Sequence, residues 1–368
     1  MLRSTLLGDG AVGNSKPSSK TDSERHKCTR DHHNDRESFL VTILMPRRFY
    51  TYLSTNIGPR ALKKLGYRAL EPRGRQRTAS EDFSIAVPFN YMPEPTIRRP
   101  KIAVVCHLFH PELSTWFLNV LEQSGLEADI YVSTDTSEKK KKISAILANW
   151  SKGSATVRLV ENRGRDVAPK ILTFPDIYNR YDLLLFLHSK KSVHYDFGEA
   201  WRNYLVQCLA GSPSISESIL EIFRHRRDVG IVFPQHFHRL TAVTPIDWGS
   251  NFQKARRLAR RMDINLSPNG IFDMISGSMF WARPAALKPL LDLALSIDHF
   301  PGEYGQLDGT LAHAIERLFL FICERTGFTW VKVTREALVT PNYPIAKIHS
   351  QCDIDSFMTE HRFDLLGA

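Results

Sequence analysis

The chain reads as an α/β domain of Rossmann type, a mainly parallel central sheet flanked by helices, with a disordered basic arm at its N-terminus. Three observations predict it. Two runs, Ile102-Ala103-Val104-Val105-Cys106 and Leu183-Leu184-Leu185-Phe186-Leu187, are apolar at every position, as in strands covered on both faces. Strands and amphipathic helices alternate at the spacing of βαβ units. The charge is also segregated: residues 1–100 hold 18 basic and 10 acidic side chains, so +8 of the net +10 lies there and the rest is nearly neutral.

Residues 1–37 are rich in Ser, Lys, Asp, Asn and Gly and are expected to stay disordered. Residues 38–100, with an Arg-rich stretch and the Pro-rich segment 88–100, read as a basic arm or linker wrapping the body. The body, 101–330, opens on the strand at Ile102, followed after Pro111 by a helical pattern through Leu118, Leu121 and Leu126. Next come a strand at Ala128 to Val132, a helix from Ser137 to Trp150, a strand at Ala155 to Val160 and a helical stretch from Val167 to Tyr178. After the strand at Leu183 comes a short one at Val229 to Phe233, then a helix whose outer face holds Lys254, Arg256, Arg257, Arg260 and Arg261. Ile275 to Trp281 reads as a strand containing Gly277 and Ser278. From Thr310 the apolar positions Leu311, Ile315, Leu318, Phe319 and Ile322 recur at helical spacing, with Gly327 as the stop. Residues 331–368 form a C-terminal extension.

Length and composition exclude several classes. A chain of 368 residues with 42% hydrophobic and 24% charged side chains is ample for a buried core. Five widely spaced cysteines fit neither a disulfide framework nor a zinc knuckle and point to a reducing compartment. No apolar window is long enough for a spanning helix, and Leu2 to Val12 lacks the marks of a signal peptide. A cytoplasmic location, with peripheral contact at the inner face of the cytoplasmic membrane, is the expectation. No Walker A, dinucleotide Gly fingerprint, Gly-x-Ser-x-Gly, HExxH or zinc-deaminase pattern occurs. The basic residues of the arm show neither a clear interleaving with aromatic side chains nor a known reader motif, so nucleic acid is not an expected partner.

In open parallel sheets ligands sit beyond the carboxyl ends of the strands. Here the successive ends are His107; Ser133-Thr134-Asp135; Glu161-Asn162-Arg163-Gly164-Arg165-Asp166; and His188-Ser189-Lys190-Lys191-Ser192. Such a set of His, Asp, Arg and Lys side chains suits one polyanionic ligand. Two of these segments, with Ser276-Gly277-Ser278-Met279-Phe280-Trp281-Ala282-Arg283-Pro284 and Gly305 to Arg317, resemble the rhamnan synthesis protein F family of bacterial cell-surface polysaccharide and lipopolysaccharide assembly. The resemblance covers roughly residues 101–328.

That resemblance implies a GT-A-like inverting glycosyltransferase using a nucleotide-diphospho-rhamnose or related donor and a lipid-linked glycan acceptor. Asn162-Arg163-Gly164 matches the Asn-x-Gly that follows the third strand in that superfamily. The metal-holding Asp-x-Asp expected after the fourth strand is replaced by His188-Ser189-Lys190. No cofactor is therefore assigned; dependence on a divalent metal, Mg or Mn, stays an open alternative. The resemblance places the catalytic base at Asp308, with Glu303 as fallback. Donor contacts fall on His107, Asp135, Asn162, Gly164, Arg165, Asp166, His188, Lys190 and Lys191, and the acceptor side on Trp248, Gly277 and Ser278. Each has an alternative: Asp308 and Asp166 as helix caps, Lys190 and Lys191 as a solvated pair, His107 as a structural histidine and Trp248 as core. Without the metal motif, a non-catalytic nucleotide-sugar or glycan-binding module is the competing class.

Overall fold

The computed structural model describes residues 72–94, 98–189, 196–303, 308–338, 343–362 and 364–367, plus the backbone of two short paired strands, β1 (Ile43–Met45) and β2 (Tyr67–Ala69). The expected disorder of residues 1–37 lies outside the described residues.

Nine strands form the main sheet: β3 (Ser84–Ala86), β4 (Ile102–His107), β5 (Asp129–Thr134), β6 (Ala155–Leu159), β7 (Leu183–His188), β8 (Val229–Pro234), β9 (Phe280–Ala282), β10 (Thr329–Thr334) and β11 (Ile345–Ala346). Their spatial order is β11-β3-β10-β8-β9-β7-β4-β5-β6. Every pairing is parallel except those of β9, which runs antiparallel between β7 and β8. The mainly parallel α/β architecture expected from the apolar runs is the one observed.

Successive residues of each central strand feed opposite faces. Val104, Cys106, Leu183, Leu185, Leu187 and Trp281 join one core with Phe117, Leu121, Leu205 and Ile219; Ala103, Val105, Leu184, Phe186 and Phe280 join the other with Ala168, Phe252 and Phe319. This period-two division explains why the strands are apolar throughout: each residue meets a helix layer on one side or the other. At about 1.5–3 kcal/mol per large apolar side chain removed from water, these two layers dominate the stability of the fold.

Three local expectations change. The sheet extends past 101–330 at both ends: β3, from the expected arm, pairs with β10 and with β11 of the C-terminal extension. Residues 275–278 are a turn before β9, because Gly277 (φ +85°) and Ser278 (φ +58°) occupy the left-handed region, which no strand allows. The Val167–Tyr178 stretch divides into the helix Val167–Leu172 and a 3-10 turn Pro175–Asn179, since Pro175 cannot continue the helical ladder. Among the described residues, no helix is long and apolar enough to cross a membrane.

Strand order reverses at β4: β5 and β6 follow on one side, whereas β7 returns to the other. The crevice beyond such a reversal is where open α/β sheets hold ligands. His107 and His188, the last residues of β4 and β7, are register partners there.

Candidate functional site

The two histidines are buried and held from neighbouring strand ends. His107 Nδ1 meets the hydroxyl of Ser133 at the end of β5 (3.0 Å), and His188 Nε2 donates to the carbonyl of Gly277 (2.7 Å). Burial pushes the imidazolium of His107 down to about 4, against the opposing pull of Asp166 and Asp135, so the ring is neutral near pH 7. The sign of the resulting pH effect is definite. With an ordinary value of 6.5, the unfolded chain takes this proton first, so stability is lost as pH falls from about 6.5 towards 4. His107→Gln should remove roughly 3 kcal/mol of that loss, seen as a flatter denaturation midpoint against pH. An unchanged slope would refute the assignment.

Behind the histidines lies Lys170, which strand-end reasoning does not reach. Its ammonium is wholly buried and bonded to the Ser278 carbonyl (2.7 Å), the Ser278 hydroxyl (2.8 Å) and Asp166 (3.3 Å). The rings of Phe186, Phe280 and Phe319 surround it at 5.1 to 5.6 Å. Burial lowers its pKa, and the Asp166 charge opposes that shift. Asp166 stands at the N-cap position but makes no capping bond; its carboxylate turns towards Lys170 and also lies 3.8 Å from His188 Nε2. The only sequence signal for Lys170 was its place four residues after Asp166 on one helix face.

Gly277 and Ser278 are thereby committed to His188 and Lys170. A Cβ on Gly277 would meet Leu205 Cδ1 at 2.6 Å, and Ser278 is 1% exposed, so they shape the site through those two side chains. Gly164 has a similar duty: its φ is +71°, and a Cβ would strike Ala168 and Phe300 at 2.4 and 2.6 Å. Trp248, expected on the acceptor side, is instead 1% exposed and packed among Phe252, Phe272 and Phe321. No ring face is left for a sugar.

A second group begins at Arg165, next to Asp166. Arg165, itself in the left-handed region (φ +55°), is exposed, and its guanidinium bonds to His313 Nε2. Arginine is only a donor, so Nε2 of His313 accepts, while Nδ1 lies 2.8 Å from Thr310 Oγ1. Burial and the Arg165 charge push His313 down to about 4. The Arg165 amide donates to Glu303 Oε1 (2.8 Å), so the fallback carboxylate braces the Arg165 backbone.

Asp308 precedes the helix Leu311–Glu316 but does not cap it; Thr310 is the cap residue. Its carboxylate accepts from Asn251 Nδ2 (2.7 Å) and the Ser250 amide (3.0 Å), with Arg317 at 3.6 Å. Partial burial would raise its pKa, but these hydrogen bonds and the Arg317 charge hold it below the ordinary carboxylate range. Asp308 is thus an ionised, part-exposed carboxylate in electrostatic contact with His313, which in turn feels Arg165 and Asp166.

Two further positions sit at the rim: Asn162 is exposed, and Asp135 pairs with Lys139 at 2.6 Å. Lys190 and Lys191 lie outside the described residues. Among the described residues, no three His, Cys, Asp or Glu side chains converge as a metal would require. The described residues therefore offer no divalent-ion site built from side chains alone.

Beneath the 275–278 turn is a second buried network. His236 links Ser276 Oγ (2.9 Å) to Asp273 (2.9 Å), while Lys332 bridges Asp273 (2.7 Å) and Asp82 (2.5 Å). It fixes from below the turn that His188 and Lys170 hold from above.

The family model of rhamnan synthesis protein F matches residues 75–328. The uncharacterized protein WxcX of Xanthomonas campestris pv. campestris strain B100 is 33% identical over 288 residues, which cover 76% of this chain and 38% of that protein; WxcX of a second strain gives the same figures. The chain spans well under half the length of these curated relatives. A solved structure, the mannosyltransferase PcManGT from Pyrobaculum calidifontis in complex with GDP-Man and Mn2+, is similar over 70% of this chain and 62% of its own, at 14% identity and a TM-score of 0.39.

Proposed function

The chain belongs to the rhamnan synthesis protein F family, and from that premise we propose that it is an inverting glycosyltransferase of GT-A-like architecture. It would move rhamnose, or a related deoxyhexose, from a nucleotide-diphosphate sugar to a lipid-linked precursor of a cell-surface polysaccharide or lipopolysaccharide. The observation that carries this reading is that the family match includes every described member of the polar cluster at the sheet's reversal, from His107 to Asp308.

The chemistry follows from charge. The acceptor oxygen attacks the anomeric carbon as the bond to the diphosphate oxygen breaks, and the acceptor proton passes to Asp308. The departing diphosphate needs positive charge, which Arg165 supplies with Lys190 and Lys191. His107, neutral near pH 7, contributes hydrogen bonds rather than charge, and His188 holds the Gly277 carbonyl. Asp166 and Lys170 position the floor, and Glu303 holds the Arg165 backbone.

The test is direct. Purified protein with a panel of nucleotide-diphosphate sugars should show a thermal shift with a deoxyhexose donor and release nucleoside diphosphate when a lipid-linked acceptor is added, with or without chelator. Binding without turnover across acceptors would select a non-catalytic binding module. Activity abolished by chelator and restored by Mg or Mn would overturn the metal-free account.

A further inference from the structure

The helix Phe252–Arg260 is unlike the other surface helices in its charge. Phe252, Ala255, Leu258 and Ala259 bury its inner face, and every exposed position is a cation: Lys254, Arg257, Arg260 and the adjoining Arg261, with Gln253 and Arg256 part-buried, Arg256 over the Phe252 ring at 5.9 Å. Lys254 Nζ bonds the Gly309 carbonyl (2.5 Å) and Arg261 reaches the Leu293 carbonyl (3.5 Å). Among the described residues, none of the five has a carboxylate within ion-pair distance. The nearby Asp263 pairs with Arg325 instead, at 3.6 Å. By contrast, Lys139, Lys142, Arg158, Arg180, Arg226 and Lys288 each sit on an Asp or Glu. Like charges at i, i+3 and i+4, as in Lys254 with Arg257 and Arg257 with Arg261, repel one another unless an anionic partner intervenes.

We propose that this face docks the protein on an anionic bilayer surface. The cations spread over eight residues, 254–261, about 10 Å along the helix axis, so they do not converge on one small anion. Phe252 is buried and the face offers no exposed aromatic ring on which a nucleic acid base could stack. With no apolar side chain on the outer face, the contact is electrostatic and lies at the headgroups. Because Lys254 holds the carbonyl of Gly309, docking would turn the Asp308 side of the crevice towards the membrane, where a lipid-linked acceptor is found. That orientation alone rests on the glycosyl-transfer reading; the docking does not.

The experiment is sedimentation of the full chain with phosphatidylcholine vesicles containing, or lacking, about one-third phosphatidylglycerol. The protein should partition onto the anionic vesicles and be released between low and high salt, because screening shortens the reach of exposed charges. The triple variant Arg257→Glu, Arg260→Glu, Arg261→Glu should lower partition about a hundredfold, given roughly fivefold per cation near an anionic surface. Its nucleotide-sugar thermal shift should be unchanged, which keeps the docking result separate from the transferase reading. A matched variant in the basic arm, Arg47→Glu, Arg48→Glu, Lys63→Glu, should retain binding. If charge reversal impairs folding, the Arg→Gln set, which removes the same three cations, should still lower partition by about that factor. Full binding by either helix variant once folded, or equal binding of the unaltered protein to neutral vesicles, would overturn the proposal.

Discussion

Asp308→Asn should lower glycosyl transfer by about two to four orders of magnitude, the usual contribution of a general base, with donor affinity held within about twofold. The substitution is nearly isosteric and leaves one oxygen to accept from Asn251 or the Ser250 amide, the two bonds that fix the carboxylate. What it removes is the site for the acceptor proton. Those bonds and Arg317 also hold the Asp308 pKa below the ordinary carboxylate value, so the acid limb of kcat should lie below that of a free carboxylate. Such a base is weak, and it works only if the acceptor oxygen is already developing a bond to the anomeric carbon as its proton leaves. Glu303→Gln supplies the contrast. Because Glu303 bonds the Arg165 amide, its loss should raise KM for donor more than it lowers kcat. An unimpaired Asp308→Asn enzyme beside an inactive Glu303→Gln enzyme would exchange the two roles.

Much of the frame was legible because its cause is local. Ile102 to Cys106 and Leu183 to Leu187 are apolar at every position for the reason that both faces are covered, and the strands that follow from them bring His107 and His188 into register. Asp166, Arg165 and Asp308 were readable as residues just past a strand or just before a helix. The rest depends on distant partners. Lys170 looks like an ordinary helix-surface lysine until Ser278, more than 100 residues away, accepts its hydrogen bonds. The 275–278 turn passes for a strand since Ile275, Met279 and Trp281 are apolar, and only the positive φ values of Gly277 and Ser278 reveal otherwise. The pairing of Ile85 with Val333 joins segments that look like an arm and an extension when read separately. Trp248 belongs to the same class: an aromatic beside Gly and Ser can face a sugar or a core, and three phenylalanine rings from other elements decide for the core.

Lys170→Met should destabilise the fold by about 3–5 kcal/mol, the cost of removing one partner of a buried, hydrogen-bonded ion pair. The side chain that replaces it fits the space among Phe186, Phe280 and Phe319, so the loss is electrostatic rather than a cavity. Asp166 would be left facing the crevice floor without its ammonium, and the Ser278 carbonyl would lose a donor at a residue whose backbone is already in the left-handed region. The double variant Lys170→Met, Asp166→Asn separates these contributions. If the stranded carboxylate dominates, the double should recover most of the loss, and the coupling read from the cycle of denaturant midpoints should exceed 1 kcal/mol. If the Ser278 carbonyl dominates, the two changes should add and the double should be no better than the single. A single variant within 1 kcal/mol of the parent would mean that Lys170 is not the strut of this floor. Donor affinity distinguishes strut from spectator in a second way: His188 shares the turn through the Gly277 carbonyl, so a loosened Ser278 should weaken the donor thermal shift even under conditions where the variant is fully folded.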